Sequence, residues 1–114
     1  MTIKEFLKKA KEVKELYAEL SIKSGQDKWT YREFTEALVS DAGDLMKLVM
    51  VKSGFRPRKT NNLDEDIKHE VVDCLWALLM ISSELGIDLD KEYPKKISKL
   101  KLRVKSLLGN RASL

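Results

Sequence analysis

Apolar residues recur every three or four positions along most of this 114-residue chain. That spacing predicts amphipathic α-helices, because positions three and four apart lie on one side of a helix. The pattern divides into four segments, from Ile3 to about Ile22, from Thr30 to about Lys52, from about Asn62 to Leu85, and a fourth that reaches about Leu108. We therefore predict an all-α fold, a four-helix bundle, with one domain over residues 1–108 and a short tail over residues 109–114.

Capping and breaking residues mark the ends of these segments. Thr30 and Glu33 have the spacing of a capping box, in which the Thr30 hydroxyl accepts from the Glu33 amide and the carboxylate reaches back. Asn62 can cap the third helix, and Gly86 has the position of a left-handed C-terminal cap. Because Pro94 lacks an amide donor, we expect the regular part of the fourth helix to begin near it.

The third segment carries apolar residues on two nearly opposite sides. On a helical wheel of about 100° per residue, one side comprises Ile67, Val71, Cys74, Leu78 and Leu85, and the other comprises Val72, Trp76 and Leu79. A helix that is apolar on two sides is expected to be covered on two sides. One small domain has difficulty covering both, so we predict a homodimer or a dimer of dimers, with Trp76 in the core or in a subunit interface.

Two acidic pairs lie at the borders of these apolar faces. Asp41 and Asp44 are three positions apart on the second helix, and Glu70 and Asp73 are three positions apart on the third. The connection between the two helices is short, so antiparallel packing brings the pairs together. Four carboxylates in one cleft repel one another unless a cation neutralises them, and hard oxygen ligands suit Mg²⁺ or Mn²⁺. His69, the single histidine, is not part of a Glu-x-x-His motif, which argues against a di-iron site.

Charge and cysteine content narrow the function classes. The formal net charge is +4, and basic residues crowd the last quarter of the chain. That surface could be a solvated helix face, a phosphate-binding surface or a nucleic-acid patch, of which the solvated face is the commonest. A single cysteine excludes an internal disulfide. The longest apolar run, Cys74 to Ile81, is far below the roughly 20 residues that span a bilayer, so we expect a soluble, cytoplasmic protein without a membrane partner.

Three stretches together resemble the MazG-like family of all-α nucleoside triphosphate pyrophosphohydrolases. They are Asp41-Ala-Gly-Asp44-Leu, Glu70-Val-Val-Asp73-Cys-Leu-Trp and Leu85-Gly-Ile-Asp-Leu, and the resemblance covers roughly Leu16 to Arg103. It implies hydrolysis of a nucleoside triphosphate between the α and β phosphates, which yields a monophosphate and pyrophosphate. It also implies a house-cleaning or pool-control role and assembly into oligomers.

The resemblance assigns roles by position. Its metal ligands for Mg²⁺ would be Asp41, Asp44, Glu70 and Asp73, and the last two would also act in catalysis. Lys96 and Arg103 would approach the phosphates, and Tyr17 and Trp29 would pack against the base. The chain departs from the family pattern in having Asp rather than Glu in the first pair, and Leu100 where an Asn is expected.

These departures keep two other functions open. A catalytically weak, nucleotide-binding or regulatory protein on the same bundle would explain the shorter first pair and the loss of a polar group at Leu100. A nucleic-acid-binding domain that uses the basic fourth helix is less favoured, and it would show steeply salt-dependent binding.

Overall fold

A computed structural model describes residues 2–59 and 61–112 of the chain. Its elements are α1 (Ile3–Lys23), α2 (Tyr31–Lys52), α3 (Leu63–Glu84) and α4 (Leu89–Ala112), and no strand occurs among the described residues. The predicted all-α fold of four helices is confirmed. The fourth helix continues through Ala112, so its predicted end at Leu108 was too early and the predicted tail is helical as far as Ala112. Residues 113 and 114 lie outside the described residues.

Side-chain caps begin α1, α2 and α4, although not always as predicted. Asn62, the predicted cap of α3, makes no side-chain cap hydrogen bond. A complete capping box lies at the start of α1, where the Thr2 hydroxyl accepts from the Glu5 amide and the Glu5 carboxylate accepts from the Thr2 amide. At α2 the Thr30 hydroxyl instead accepts from the Arg32 amide at 3.3 Å and donates to the Glu33 carboxylate at 3.1 Å. The hydroxyl therefore holds the carboxylate, and the predicted reciprocal box is not formed there.

The ends of the helices are closed by glycine in a left-handed conformation. At the end of α3, Gly86 has φ +68°, and the Gly86 and Ile87 amides donate to the Ser83 and Ser82 carbonyls at 3.4 and 2.9 Å. This is the Schellman motif, which satisfies carbonyls that the last turn leaves without amide partners. The predicted cap at Gly86 is confirmed, and α1 and α2 end in the same way at Gly25 and Gly54.

The centre of the molecule is the antiparallel pair α2 and α3. Lys52 at the end of α2 bonds Asp64 at the start of α3 at 2.7 Å, while Phe34 near the start of α2 packs on Trp76 of α3. Helix α1 packs mainly on α3, which completes a small apolar core. The buried core residues are Ala10, Phe34, Leu79 and Met80, with Ile3, Leu7, Trp76, Ile81 and Leu89 packed against them.

Helix α4 extends away from this core. It begins where the Asp88 carboxylate accepts from the Lys91 amide at 3.3 Å and the Asp88 carbonyl accepts from the Glu92 amide at 2.9 Å. Pro94 thus lies inside the helix, beyond its first turn, and the helix begins at Leu89, somewhat earlier than the expected start near Pro94. Capping by Asp88 starts the helix earlier, and only the hydrogen bond that Pro94 cannot donate is lost.

Large apolar surfaces remain uncovered within one chain. The side of α3 that carries Val71, Leu78 and Leu85 is exposed, which agrees with the expectation that one small domain does not cover both sides of α3. Every residue from 91 to 110 on α4 is exposed as well. A membrane-crossing helix, which must be both long and apolar, is not found among the described residues.

Candidate functional site

The two predicted acidic pairs meet where α2 and α3 pack together. Carboxylate oxygens of Asp41, Asp44 and Glu70 lie within 4.8 Å of one another. Glu70 also forms a second such group with Asp73 and His69, and the His69 Nε2 atom is 3.0 Å from the Asp73 carboxylate. The i, i+3 spacing places each pair on one side of its helix, and the antiparallel packing of α2 on α3 joins them. We call these four carboxylates the acidic cluster.

The acidic cluster has no lysine or arginine partner among the described residues. Burial is the main cause that raises the pKa of Glu70, followed by repulsion from Asp41, Asp44 and Asp73. The pKa of Asp41 is also raised, first by burial and then by Asp73 and Asp44. His69 opposes both shifts in part, and no lysine or arginine of the described chain contributes to them.

One oxygen of the cluster is enclosed and unbonded. Glu70 Oε2 is inaccessible to solvent and has no hydrogen-bond partner among the described residues. A carboxylate oxygen in this state is unfavourable unless it is protonated or bound to a cation. Cys74, which is half-buried beside the cluster, has a raised pKa because of its burial and the neighbouring carboxylates Asp41, Glu70 and Asp73. The thiol therefore stays protonated and does not supply an additional charged ligand.

An aromatic cavity of about 710 Å³ adjoins α1, the start of α2 and α3. Its aromatic rings make a chain of edge-to-face contacts, with centroid distances of 6.3 Å for Tyr17 and Trp76, 5.4 Å for Trp76 and Phe34, and 5.5 Å for Phe34 and Trp29. Tyr17 and Trp29 were predicted to lie together near a ligand, and both line this cavity. Phe55, in the loop after α2, is 79% exposed and is not part of its lining.

Trp76 was predicted in the core or in a subunit interface, and the structure packs it against the core. It also lines the aromatic cavity together with Phe34, which was not predicted. Trp76 follows Asp73 by three positions, and Phe34 precedes Asp41 by two helical turns, about 10 Å along the axis. The cavity and the acidic cluster therefore adjoin along the same pair of helices. The spacing from each acidic residue could have revealed this from the sequence.

Basic residues border the cavity but differ from those predicted. Lys11, Lys14 and Lys28 line it, and Lys14 forms an ion pair with Glu84. Sequence reasoning missed these lysines because charged residues on α1 resemble an ordinary solvated face. Lys96 and Arg103, the predicted phosphate-binding residues, are exposed on α4 and belong neither to the cavity lining nor to the cation-binding groups of the acidic cluster. Helix α4 contacts mainly α1 and does not carry them there.

Comparison with known proteins gives a weak similarity to a protein whose function is not described. The chain is similar to an uncharacterized protein, YpjD, of Bacillus subtilis (strain 168), with 26% identity over 98 residues, which cover 83% of this chain and 88% of that protein. No protein-family model matches the chain, and no solved structure gives a significant match.

These comparisons assign no chemistry to the site, so its geometry is the basis for what it could bind. Clustered carboxylates without a cysteine thiolate ligand or a second histidine suit a hard divalent cation such as Mg²⁺ or Mn²⁺. The neighbouring cavity has the size of small-molecule sites and is lined by aromatic rings, which suits a planar apolar group. Lysines at its border favour an anionic ligand.

Proposed function

We propose that this protein is a Mg²⁺-dependent nucleotide pyrophosphohydrolase, which converts a nucleoside or deoxynucleoside triphosphate to the monophosphate and pyrophosphate. The observation that carries the proposal is the enclosed, unbonded Glu70 Oε2 atom within a convergent group of carboxylates. That arrangement is unfavourable for the protein alone and becomes favourable when a cation is bound. The resemblance of the sequence to the MazG-like family supports the same proposed reaction.

The donor set fits a divalent metal ion. Asp41, Asp44 and Glu70 would hold Mg²⁺ or Mn²⁺, since their carboxylate oxygens lie within 4.8 Å of one another. Asp73 would join them through Glu70, with which it and His69 form the second group. When bound, such an ion neutralises phosphate charge and lowers the pKa of a bound water. In the proposed reaction, the oxygen of water attacks the α-phosphorus, the bond from that phosphorus to the bridging oxygen breaks, and pyrophosphate leaves. Glu70 or Asp73 would accept the proton of the attacking water.

The aromatic cavity would hold the base. Tyr17, Trp29 and Trp76 offer ring surfaces for stacking, and Lys11 and Lys28 border the cavity, where they would attract the anionic substrate. The cavity and the acidic cluster lie along the same two helices, so a nucleotide is long enough to engage both. Within one chain this leaves no role at the site for Lys96 and Arg103.

The test is release of pyrophosphate from a panel of ribo- and deoxynucleoside triphosphates, with Mg²⁺ or Mn²⁺ present or removed by a chelator. We expect metal-dependent turnover that falls about 100-fold or more in Glu70→Gln, because charge stabilisation at phosphorus is lost. Glu65→Gln is the matched control, since Glu65 is exposed on the same helix and pairs with Lys68 outside the acidic cluster. Equal losses in both variants would contradict the assignment.

A second function is favoured by one specific feature, the short aspartates of the first pair. A regulatory protein that binds nucleotide and metal but turns over slowly would show binding of both by calorimetry, with little pyrophosphate released. Replacing Asp41 and Asp44 by Glu extends each carboxylate by one methylene. A large gain in turnover would favour this second function over the first.

The proposal includes self-association into a homodimer or a dimer of dimers. It is supported by the apolar surfaces of α3 and α4 that one chain leaves exposed.

A further inference from the structure

Helix α4 carries an apolar seam with the heptad spacing of a coiled coil. Its members alternate at intervals of four and three, and they are Tyr93, Ile97, Leu100, Val104 and Leu107. Each is between 42% and 57% exposed, so nothing in the same chain covers the seam. The positions that flank it on the two sides, e and g in heptad notation, include Lys96, Lys101 and Arg103 and no acidic residue. A partner for this seam must therefore be apolar with acidic borders.

Helix α1 offers a surface of that kind. Four of its exposed apolar residues follow the same heptad spacing, namely Phe6, Val13, Leu16 and Leu20, which are between 42% and 64% exposed. Tyr17 and Ile22 are also exposed, outside this spacing. The residue directly before each of Phe6, Val13 and Leu20 lies at position g of the heptad. Each of these g residues is a glutamate, namely Glu5, Glu12 and Glu19. The described residues show no ion pair for Glu12, Glu19, Lys96 or Arg103, and all four are exposed. The two helices thus carry complementary borders that one chain does not bring together.

The exposed area also calls for a partner. The chain exposes 9222 Å², whereas a compact monomer of this mass exposes about 6,400 Å². The excess of roughly 2,800 Å² is larger than the roughly 800 Å² that each partner contributes to a standard interface. A second copy of the chain is an occupant that carries an apolar seam with acidic borders on α1. Its own α4 seam would be covered in the same way.

We propose that α4 of one copy packs antiparallel against α1 of a second copy, and that the reverse contact is made across a two-fold axis. In antiparallel pairs, position a of one helix faces position d of the other and g faces g. One register satisfies all these pairings. Its core layers are Phe6 with Leu107, Val13 with Leu100, Leu16 with Ile97 and Leu20 with Tyr93, and its border pairs are Glu12 with Arg103 and Glu19 with Lys96.

The remaining core layer of this register pairs Lys9 with Val104. The aliphatic part of the lysine side chain can cover the valine while its ammonium group reaches solvent. Self-pairing of two α4 helices is disfavoured, because Lys96, Lys101 and Arg103 would face only cations across the seam. Assembly through α1 and α4 does not require the proposed enzymatic activity.

Charge reversal tests the register. One variant combines Glu12→Lys with Glu19→Lys, and a second combines Lys96→Glu with Arg103→Glu. By sedimentation equilibrium, we expect wild-type protein to be dimeric and each variant to have a dimer dissociation constant raised about 10-fold or more, because attraction becomes repulsion at both seams. Lys95→Glu with Lys99→Glu is the matched control, since it makes the same charge change off the seam and should leave the dimer intact. Circular dichroism checks that helix content is unchanged.

Mixing the two variants decides between the possible contacts. Each seam of the mixed dimer again joins glutamates to lysines, so we expect heterodimers with near wild-type affinity. Pairing of α4 with α4 predicts instead that the Glu12 and Glu19 variant remains dimeric on its own. A contact between α1 and α4 of the same chain predicts no rescue on mixing. Either of these results, or a monomeric wild-type protein, would overturn the proposal.

Discussion

The enclosed oxygen of Glu70 shows how a candidate site can be recognised before any ligand is seen. Carboxylate oxygens normally accept hydrogen bonds from water or from a protein donor, and an exception needs a physical reason. Here the reason is position, since α3 presents Glu70 towards α2 while Asp41 and Asp44 approach from the other helix. Burial and mutual repulsion both raise the pKa of Glu70, so the metal-free cluster is a source of instability.

That instability has a definite dependence on pH. The pKa of Asp41 is raised above its ordinary value of 3.8, so the folded protein binds this proton more tightly than the unfolded chain does. Stability therefore falls as pH rises from the ordinary value through the folded pKa, and the loss is constant above it. With metal chelated at pH 7, Asp41→Asn should raise the melting temperature by about 2–4 °C. The gain should vanish at a pH below the ordinary pKa.

Asp64 provides a control of opposite sign for this melting experiment. Its pKa is lowered by the hydrogen bond and then the charge of Lys52, so the ionised group stabilises the folded protein above the ordinary pKa. Asp64→Asn should slightly lower the melting temperature at pH 7, because the pair is exposed. An equal rise in both variants would mean that loss of negative charge in general, and not relief of the acidic cluster, is responsible.

Addition of metal should reverse the ranking of the Asp41 variants. A ligand that binds only the folded state raises stability by RT ln(1 + [L]/Kd). With Mn²⁺ or Mg²⁺ in excess, the wild-type protein should gain several degrees in melting temperature and Asp41→Asn should gain less. Ca²⁺, which is larger and takes more ligands, is the comparison ion. Identical gains in the two proteins would place the bound metal away from the acidic cluster.

At the level of helices, the sequence predicts best what depends on local spacing. The i, i+3 pairs, the apolar stripes and the cap at Gly86 are local features, and they predicted the helices and the meeting of Asp41 with Glu70. The length of α4 was missed because its apolar stripe ends at Leu107, whereas the helix itself continues to Ala112. The place of Trp76 in the aromatic cavity was missed because its neighbours Tyr17 and Phe34 come from other helices. Contacts of that kind depend on packing, which one helical wheel does not contain.

The end of α3 allows a matched test of how glycine acts. Gly86 has φ +68°, which a residue with a Cβ atom adopts unfavourably, whereas Gly43 lies inside α2 and has open space where a Cβ would stand. Gly86→Ala should lower the free energy of unfolding by about 1 kcal/mol. Gly43→Ala should raise it by about 0.5–1 kcal/mol. Urea denaturation measures both, and changes of the same sign would show that the cap at Gly86 is not what ends α3.

The shape of the whole molecule reflects unequal packing of its helices. The radius of gyration is 18.7 Å, whereas a compact domain of about this length has roughly 13 Å. Helices α2 and α3 form the tightest pair, α1 covers part of them, and α4 touches the rest mainly near Leu89. The closely packed α2–α3 pair and the exposed α4 should therefore differ in local stability.

Hydrogen exchange can measure this difference and connect it to assembly. In a monomer, amides of residues 97–108 lie in a helix that packing barely supports, so they should exchange through local opening. In the proposed dimer the seam on α1 of the second copy covers them. Dilution from well above to well below the dimer dissociation constant should therefore accelerate exchange at residues 97–108, while residues 70–82 of α3 keep most of their protection because α2 covers them in each copy. If α4 exchanges equally fast at both concentrations, its seam is not the surface through which the copies associate, and the partner of that seam is not α1.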